Sequence, residues 1–210
     1  MPLQNRVTPY GEILALPERG TLMGNRGRLH DFDRQLGRRR WERKAWVCCR
    51  LSWKGIHRTV MSPTSYTELF FLDEATALAA GHRPCNDCRR EDLVRFCTAV
   101  GRARSETGGL PRVTAIDEAL HAERVMADRS KRTHVARLGD LPDGVLFTTA
   151  PQSDAAWLLW RAAVHRWSPS GYTRESGVDP AAEVLALTPP TTVAAIKVGY
   201  VPSVHPSVKG

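Results

Sequence analysis

Apolar positions in the chain recur mostly in short alternating runs, with a few stretches at helical spacing between them, and this mixture predicts an α+β fold. Glu12 to Leu16 reads as a strand, and Gly20 to Asp31 as a strand running into a glycine-punctuated loop. From Lys44 to Met61, alternation around Lys54-Gly55 predicts a two-stranded hairpin. Val47, Cys49, Leu51 and Trp53 would share its more apolar face, and Trp46, Cys48, Arg50 and Ser52 the other. Thr67 to Phe71 reads as a further strand, followed by a short helix over 74–80 that Asp73 can cap. A second helix is expected from Glu91 to Arg102, with Cys97 among its core positions, and a loop from Ala103 to Arg112. Thr114 to Asp117 suggests a capping box for a third helix reaching Ala127, with Ile116, Leu120 and Val125 or Met126 as its stripe.

Beyond Arg137 the texture changes to short strands at 144–149, 156–160 and 183–187. A last helix opens at Thr188-Pro189-Pro190 and ends near Gly199. The expected organisation is a basic N-terminal region over 1–137, carrying a zinc-stapled hairpin-helix element at about 44–103, and a small β-rich lobe with a C-terminal helix over 138–210.

The chemistry concentrates at Gly81-His82-Arg83-Pro84-Cys85-Asn86-Asp87-Cys88. Two thiolates separated by two residues can curl around one tetrahedral ion, each sulfur about 2.3 Å from the metal, while backbone amides bond back to them. A redox dithiol shares the spacing but usually opens a helix directly after a strand, and here a helix precedes the pair. A disulfide framework is disfavoured by an odd count of five cysteines. Among the remaining thiols, Cys49 is the favoured third ligand from its face of the expected hairpin. His82 is favoured over His57 as the fourth, with Cys48, an oxygen ligand or water as alternatives.

Phe70, Phe71, Glu74, Ala75, Ala79, Ala80, Gly81, Arg83, Pro84, Cys85 and Cys88 together resemble the zinc-binding domain of the Ada DNA-repair proteins. The resemblance implies a zinc ion, a role in DNA repair, and zinc activation of one cysteine as a methyl acceptor from a phosphotriester. It also implies two further cysteines upstream. This chain departs there, offering only the adjacent Cys48 and Cys49, and it carries no second alkyltransferase motif and no helix-turn-helix.

Charge suggests the partner. The formal net charge is +8, and residues 1–60 hold 13 Lys plus Arg against 5 Asp plus Glu, so the whole excess lies there. Its densest part carries Arg34, Arg38, Arg39, Arg40, Arg43 and Lys44 around Trp41. Arginines beside an indole suit a phosphate backbone and a stacked base, so the expected partner is nucleic acid, DNA above RNA. No apolar run is long enough to span a membrane and no targeting core precedes the first strand, which points to a cytoplasmic protein.

The reading that joins these features is a Zn2+-binding, nucleic-acid-binding protein of DNA repair or processing. A metal-assisted hydrolase or nuclease, and a zinc-stapled protein-interaction module, are the alternatives. Other candidates have plain structural explanations beside the functional ones. Asn25 to Asp31 could approach an anion through its glycine-punctuated backbone, with His30 and Asp31 as an acid–base pair, or could be a basic turn with a surface histidine. His121, Glu123 and Arg124 read as a solvated helix face. Trp157, Trp160 and Trp167 beside His165 could line a base pocket, and more simply fill a core.

Overall fold

Short alternating segments become two six-stranded sheets in the computed structural model, which describes residues 1–57, 59–105, 109–151, 153–176 and 179–209. The first sheet contains β1 (Gln4–Val7), β2 (Ile13–Ala15), β3 (Leu22–Asn25), β4 (Val47–Arg50), β5 (Leu69–Phe71) and β6 (Arg83–Pro84), in the order β2-β1-β5-β3-β4-β6. β3 pairs antiparallel with both β5 and β4, so that Met23 stands opposite Phe70 on one side and Cys49 on the other.

The expected hairpin over 44–61 is not formed. Lys54 and Gly55 do turn the chain, both with positive φ, and Ile56 N–H donates to the Trp53 carbonyl at 3.1 Å. However, both edges of β4 are taken, one by β3 and the other by β6 in parallel, so 56–61 has no free edge of β4 to pair with. The part of the expected return strand at residue 58 lies outside the described residues.

Between β5 and β6 runs α1 (Glu74–Ala79), whose six residues are all buried. A helix apolar nearly all round belongs inside a core. Asp73 caps it, accepting from the Thr76 amide at 2.8 Å and the Thr76 hydroxyl at 2.7 Å. Gly81 ends the segment with φ +88, and a Cβ there would lie 2.4 Å from Arg124 Cδ, so both the turn and the close approach require glycine. α2 (Arg90–Ala103) follows the cysteine turn, with Cys97 on its buried face as expected, and α3 (Val113–Arg124) comes next.

The capping box expected at Thr114 is absent. Helix α3 is instead entered two residues earlier, from Arg112 with no side-chain cap, and Asp117 makes a buried bidentate ion pair with Arg83 at 2.8 Å. The helix also stops at Arg124 rather than Ala127, since Val125 is already extended and bridges to Lys131.

The second sheet holds β7 (His134–Arg137), β8 (Leu146–Thr148), β9 (Trp157–Trp160), β10 (Ala163–Ser168), β11 (Gly171–Glu175) and β12 (Glu183–Ala186), in the order β11-β10-β9-β8-β12-β7. The strands β1, β6, β7, β10 and β11 are additions to the pattern read from the sequence. The last helix, α4 (Pro190–Lys197), begins with proline at its first turn as expected.

One apolar core joins residues from both sides of position 137. Leu78, Phe96, Ile116 and Leu120 pack with Val145, Phe147, Val184 and Ile196. Polar bonds reinforce the join at α1. The buried Glu74 carboxylate accepts from Arg89 at 2.8 Å, the Tyr200 hydroxyl at 2.5 Å and the Ser203 amide at 3.0 Å. Asp73 accepts from the His205 amide at 2.9 Å.

Candidate metal centre

Because β4 and β6 run parallel with Cys48 beside Pro84, the residue after each comes alongside the other: Cys49 at β4 and Cys85 just past β6. The Cys85 amide donates to the Cys48 carbonyl at 3.0 Å, which fixes the start of the turn, and Cys88 closes it ahead of α2. The sulfurs of Cys49, Cys85 and Cys88 all lie within 4.8 Å of one another. Sulfurs bound to one tetrahedral ion at about 2.3 Å stand about 3.8 Å apart, so this cluster could hold a metal ion with little rearrangement.

The surroundings favour thiolate at two of the three positions. Cys85 Sγ accepts from the Asp87 amide and Cys88 Sγ from the Arg50 amide, each at 3.4 Å. Hydrogen bonding from Cys49, ahead of these amides, holds the Cys85 thiol down to about 5 and lowers that of Cys88. Cys49 is pushed up, because its proton bonds to the other two sulfurs. A soft cation in place of that shared proton satisfies all three.

Cys48 faces elsewhere. It is fully buried, and Arg89 donates to its sulfur at 2.9 Å. Burial pushes its thiol up to about 12. His82 does not join the cluster either. Its ring is fully buried, edge-on to Phe71 with centroids 4.6 Å apart and tilted against Trp46 at 5.3 Å, and its Nε2 accepts from Arg26 Nε at 3.2 Å. Burial, then Arg26 and Arg124, lower its proton affinity well below the ordinary histidine range. His57 is exposed. Among the described residues the cluster therefore has three protein donors.

The three sulfurs open onto a cavity of about 380 Å³ whose walls include Met23, Trp53, Ile56, Tyr66 and Phe70. Glu68 lines the same cavity. It is 2% exposed; its Oε2 accepts from the Met61 amide at 2.6 Å, and its Oε1 is buried without a partner among the described residues. Nothing in the sequence pattern singled out Glu68. Its only signal is position, one residue before β5 on the strand whose Phe70 opposes Met23.

The basic run over 34–44 forms no helix or strand of its own, apart from the isolated bridge of Leu36 to His30. Arg34, Arg38, Arg39, Arg40, Arg43 and Lys44 are exposed. Arg39 and Arg43 share Glu42, at 3.8 and 3.7 Å, and Lys44 pairs with Glu118. Trp41 is half-buried against Trp46 and His121, with ring centroids 5.8 and 5.5 Å apart.

The remaining candidates have structural roles. His30 is buried, with Nδ1 2.6 Å from Thr67 Oγ1 and Nε2 3.1 Å from the Ser62 carbonyl, while Asp31 caps an exposed turn. Trp157 donates to Glu175 at 2.7 Å, and Trp167 donates to Thr76 Oγ1 at 3.1 Å. The solvated face expected at Arg124 is wrong. This arginine is 1% exposed, because it lies over Trp46 and donates to the Gly81 and Lys44 carbonyls.

No family model matches the chain, and neither a curated protein nor a solved structure is found to match it. Among the described residues, no helix is long and apolar enough to cross a membrane.

Proposed function

We propose that this chain is a zinc-thiolate protein of DNA repair or processing, in which Cys49, Cys85 and Cys88 hold the ion and its remaining position faces a substrate cavity. The observation that carries the reading is the trio of sulfurs within 4.8 Å of one another at the wall of a cavity of about 380 Å³. A site with four protein donors is a staple, whereas three donors and an opening suit chemistry. The all-sulfur set selects zinc over the harder divalent ions. A bound zinc would keep the three sulfurs ionised and offer one position to a ligand from outside.

The chain's own groups supply the rest. The Asp87 and Arg50 amides spread the negative charge of Cys85 and Cys88. The apolar part of the wall, with Met23, Trp53, Ile56 and Phe70, suits an alkyl or aromatic group, and the exposed arginines of 34–43 supply attraction for a phosphate backbone. This combination suits the chemistry that the Ada-like motif implies, with the Cys49 thiolate on a bound zinc as the nucleophile. Glu68 favours a second reading, metal-assisted hydrolysis, since this carboxylate residue lines the same cavity as the three sulfurs.

Metal analysis of the purified chain, followed by cobalt replacement, tests the proposal. The expected spectrum is that of tetrahedral thiolate cobalt, and it should shift when a small exogenous thiol is added. A metal-free protein, or a spectrum indifferent to added ligands, overturns the open-site reading. Retained alkyl transfer to Cys49 in Glu68→Gln separates the first reading from hydrolysis.

A further inference from the structure

A second cavity, of about 440 Å³, has Arg26, Arg124 and Lys131 in its wall together with Trp41, Trp46 and Arg129. Its three inner cations are unusual in what they lack. Arg26 is 1% exposed, donates to the Gly11 carbonyl at 2.9 Å and to His82, and leaves one terminal nitrogen buried without a partner among the described residues. Arg124, equally buried, donates to the Gly81 and Lys44 carbonyls and leaves its Nε without a partner among the described residues. Lys131 donates to the Ala79 carbonyl.

Among the described residues none of the three makes an ion pair with a carboxylate, and the only acidic residue on the cavity wall, Glu12, is exposed. Both guanidinium groups lie over Trp46, at 4.0 and 3.8 Å from its ring, which offsets part of their charge without supplying an anion. Asp117 acts on Arg124 from a distance but is itself ion-paired with Arg83; buried like charges without an ion-paired counter-charge destabilise a fold, and such arrangements persist where a ligand completes them.

The missing component is an anion, and the donors indicate which. Guanidinium groups with unpartnered N–H positions, plus an ammonium, match the oxygens of a phosphate better than a single carboxylate. Phosphate alone would leave most of the volume unfilled. Trp41, Arg40 and Arg129 also line an adjoining hollow of about 260 Å³, so a group attached to the phosphate has an indole to lie on and two more cations nearby.

We propose that this cavity binds the phosphate group of a nucleotide, with Arg26, Arg124 and Lys131 around the phosphate and the base on Trp41. The phosphate belongs either to a free mononucleotide or to the end of a nucleic-acid strand. The second source rests on the nucleic-acid reading above, whereas phosphate capture itself does not.

Calorimetry on the full chain tests this with sodium phosphate, deoxyadenosine 5′-monophosphate, and one oligonucleotide with and without a 5′-phosphate. Phosphate should raise the melting temperature, and the mononucleotide should bind about tenfold more tightly than phosphate, the share expected of stacking. Lys131→Met and the exposed Arg129→Ala should each lower mononucleotide affinity about tenfold with unchanged circular dichroism. No response of the unmodified chain to phosphate or mononucleotide, or equal affinity in both variants, overturns the site.

The oligonucleotide arms separate the two readings. Binding that ignores the end phosphate, without competition from the mononucleotide, removes the strand end as the source of the phosphate and leaves nucleic-acid binding standing. Mononucleotide binding with neither oligonucleotide bound keeps the site and removes the nucleic-acid reading.

Discussion

Cys48 and Cys49 are consecutive in β4 and serve opposite faces of its sheet: the first accepts a hydrogen bond from Arg89 at 2.9 Å, and the second meets Cys85 and Cys88. Their substitutions should therefore have separable effects. Cys49→Ser or Cys85→Ser is expected to lower zinc affinity on the order of 100-fold or more, since a ligand is lost. Cys48→Ser and His82→Gln should leave zinc content unchanged. Measuring zinc by mass spectrometry in the four variants decides it, and loss of metal from the His82 variant would contradict the three-donor cluster.

The Glu74 carboxylate neutralises Arg89 in a nearly dry site, with side-chain exposures of 3% and 6%. Glu74→Gln removes that charge while Arg89 stays buried, which should cost about 3–5 kcal/mol. Urea unfolding followed by fluorescence reads the change. A loss below about 1 kcal/mol would show that Asp92, 2.8 Å from Arg89, suffices alone.

Burial, and then the charges of Arg26 and Arg124, bring the Lys131 ammonium down to about 7 from 10.5. His82, Arg40, Arg129 and the exposed Glu12 also face this region. The unfolded chain then binds the proton more firmly, so the contribution of Lys131 to stability rises with pH between about 7 and 10. The stability of the natural chain relative to Lys131→Met should increase from pH 7 to pH 9 in thermal melts. Parallel pH profiles would refute the depressed proton affinity.

Arg34 and Arg38 are exposed and make no ion pair among the described residues, unlike Arg39, Arg43 and Lys44. If the chain grips duplex DNA through this run, replacing both by alanine should reduce the slope of log affinity against log salt by about 1.8. Fluorescence anisotropy between low and moderate salt measures it. An unchanged slope would place the phosphate contacts elsewhere.

The parts of this fold legible in the sequence were those set by local rules. Asp73 capping α1, the proline opening α4 and the two-residue spacing of Cys85 and Cys88 each depend on neighbours a few positions away. Strand pairing does not. Lys54-Gly55 turns the chain as its residues suggest, yet β4 pairs with β3 and β6, and only a three-dimensional sheet order shows that its edges are occupied.

The expected fourth ligand misled for a similar reason. His82 has a plausible offset from Cys85, but Arg26 and Phe71, both distant in sequence, hold its ring elsewhere. Arg26 lay in the glycine-punctuated stretch that the sequence marked as able to approach an anion. Arg124 was assigned to water because helical spacing alone cannot tell a polar surface from a cation tucked over an indole.

Tyr200 reaches Glu74 across 126 positions, and His205 reaches Asp73 across 132. During synthesis, α1 emerges from the ribosome well before either of these partners exists. The helix ahead of the cysteine turn thus waits for residues made 126 and 132 positions later, and a fragment stopped at 137 should leave its acidic pair in need of solvent or a chaperone.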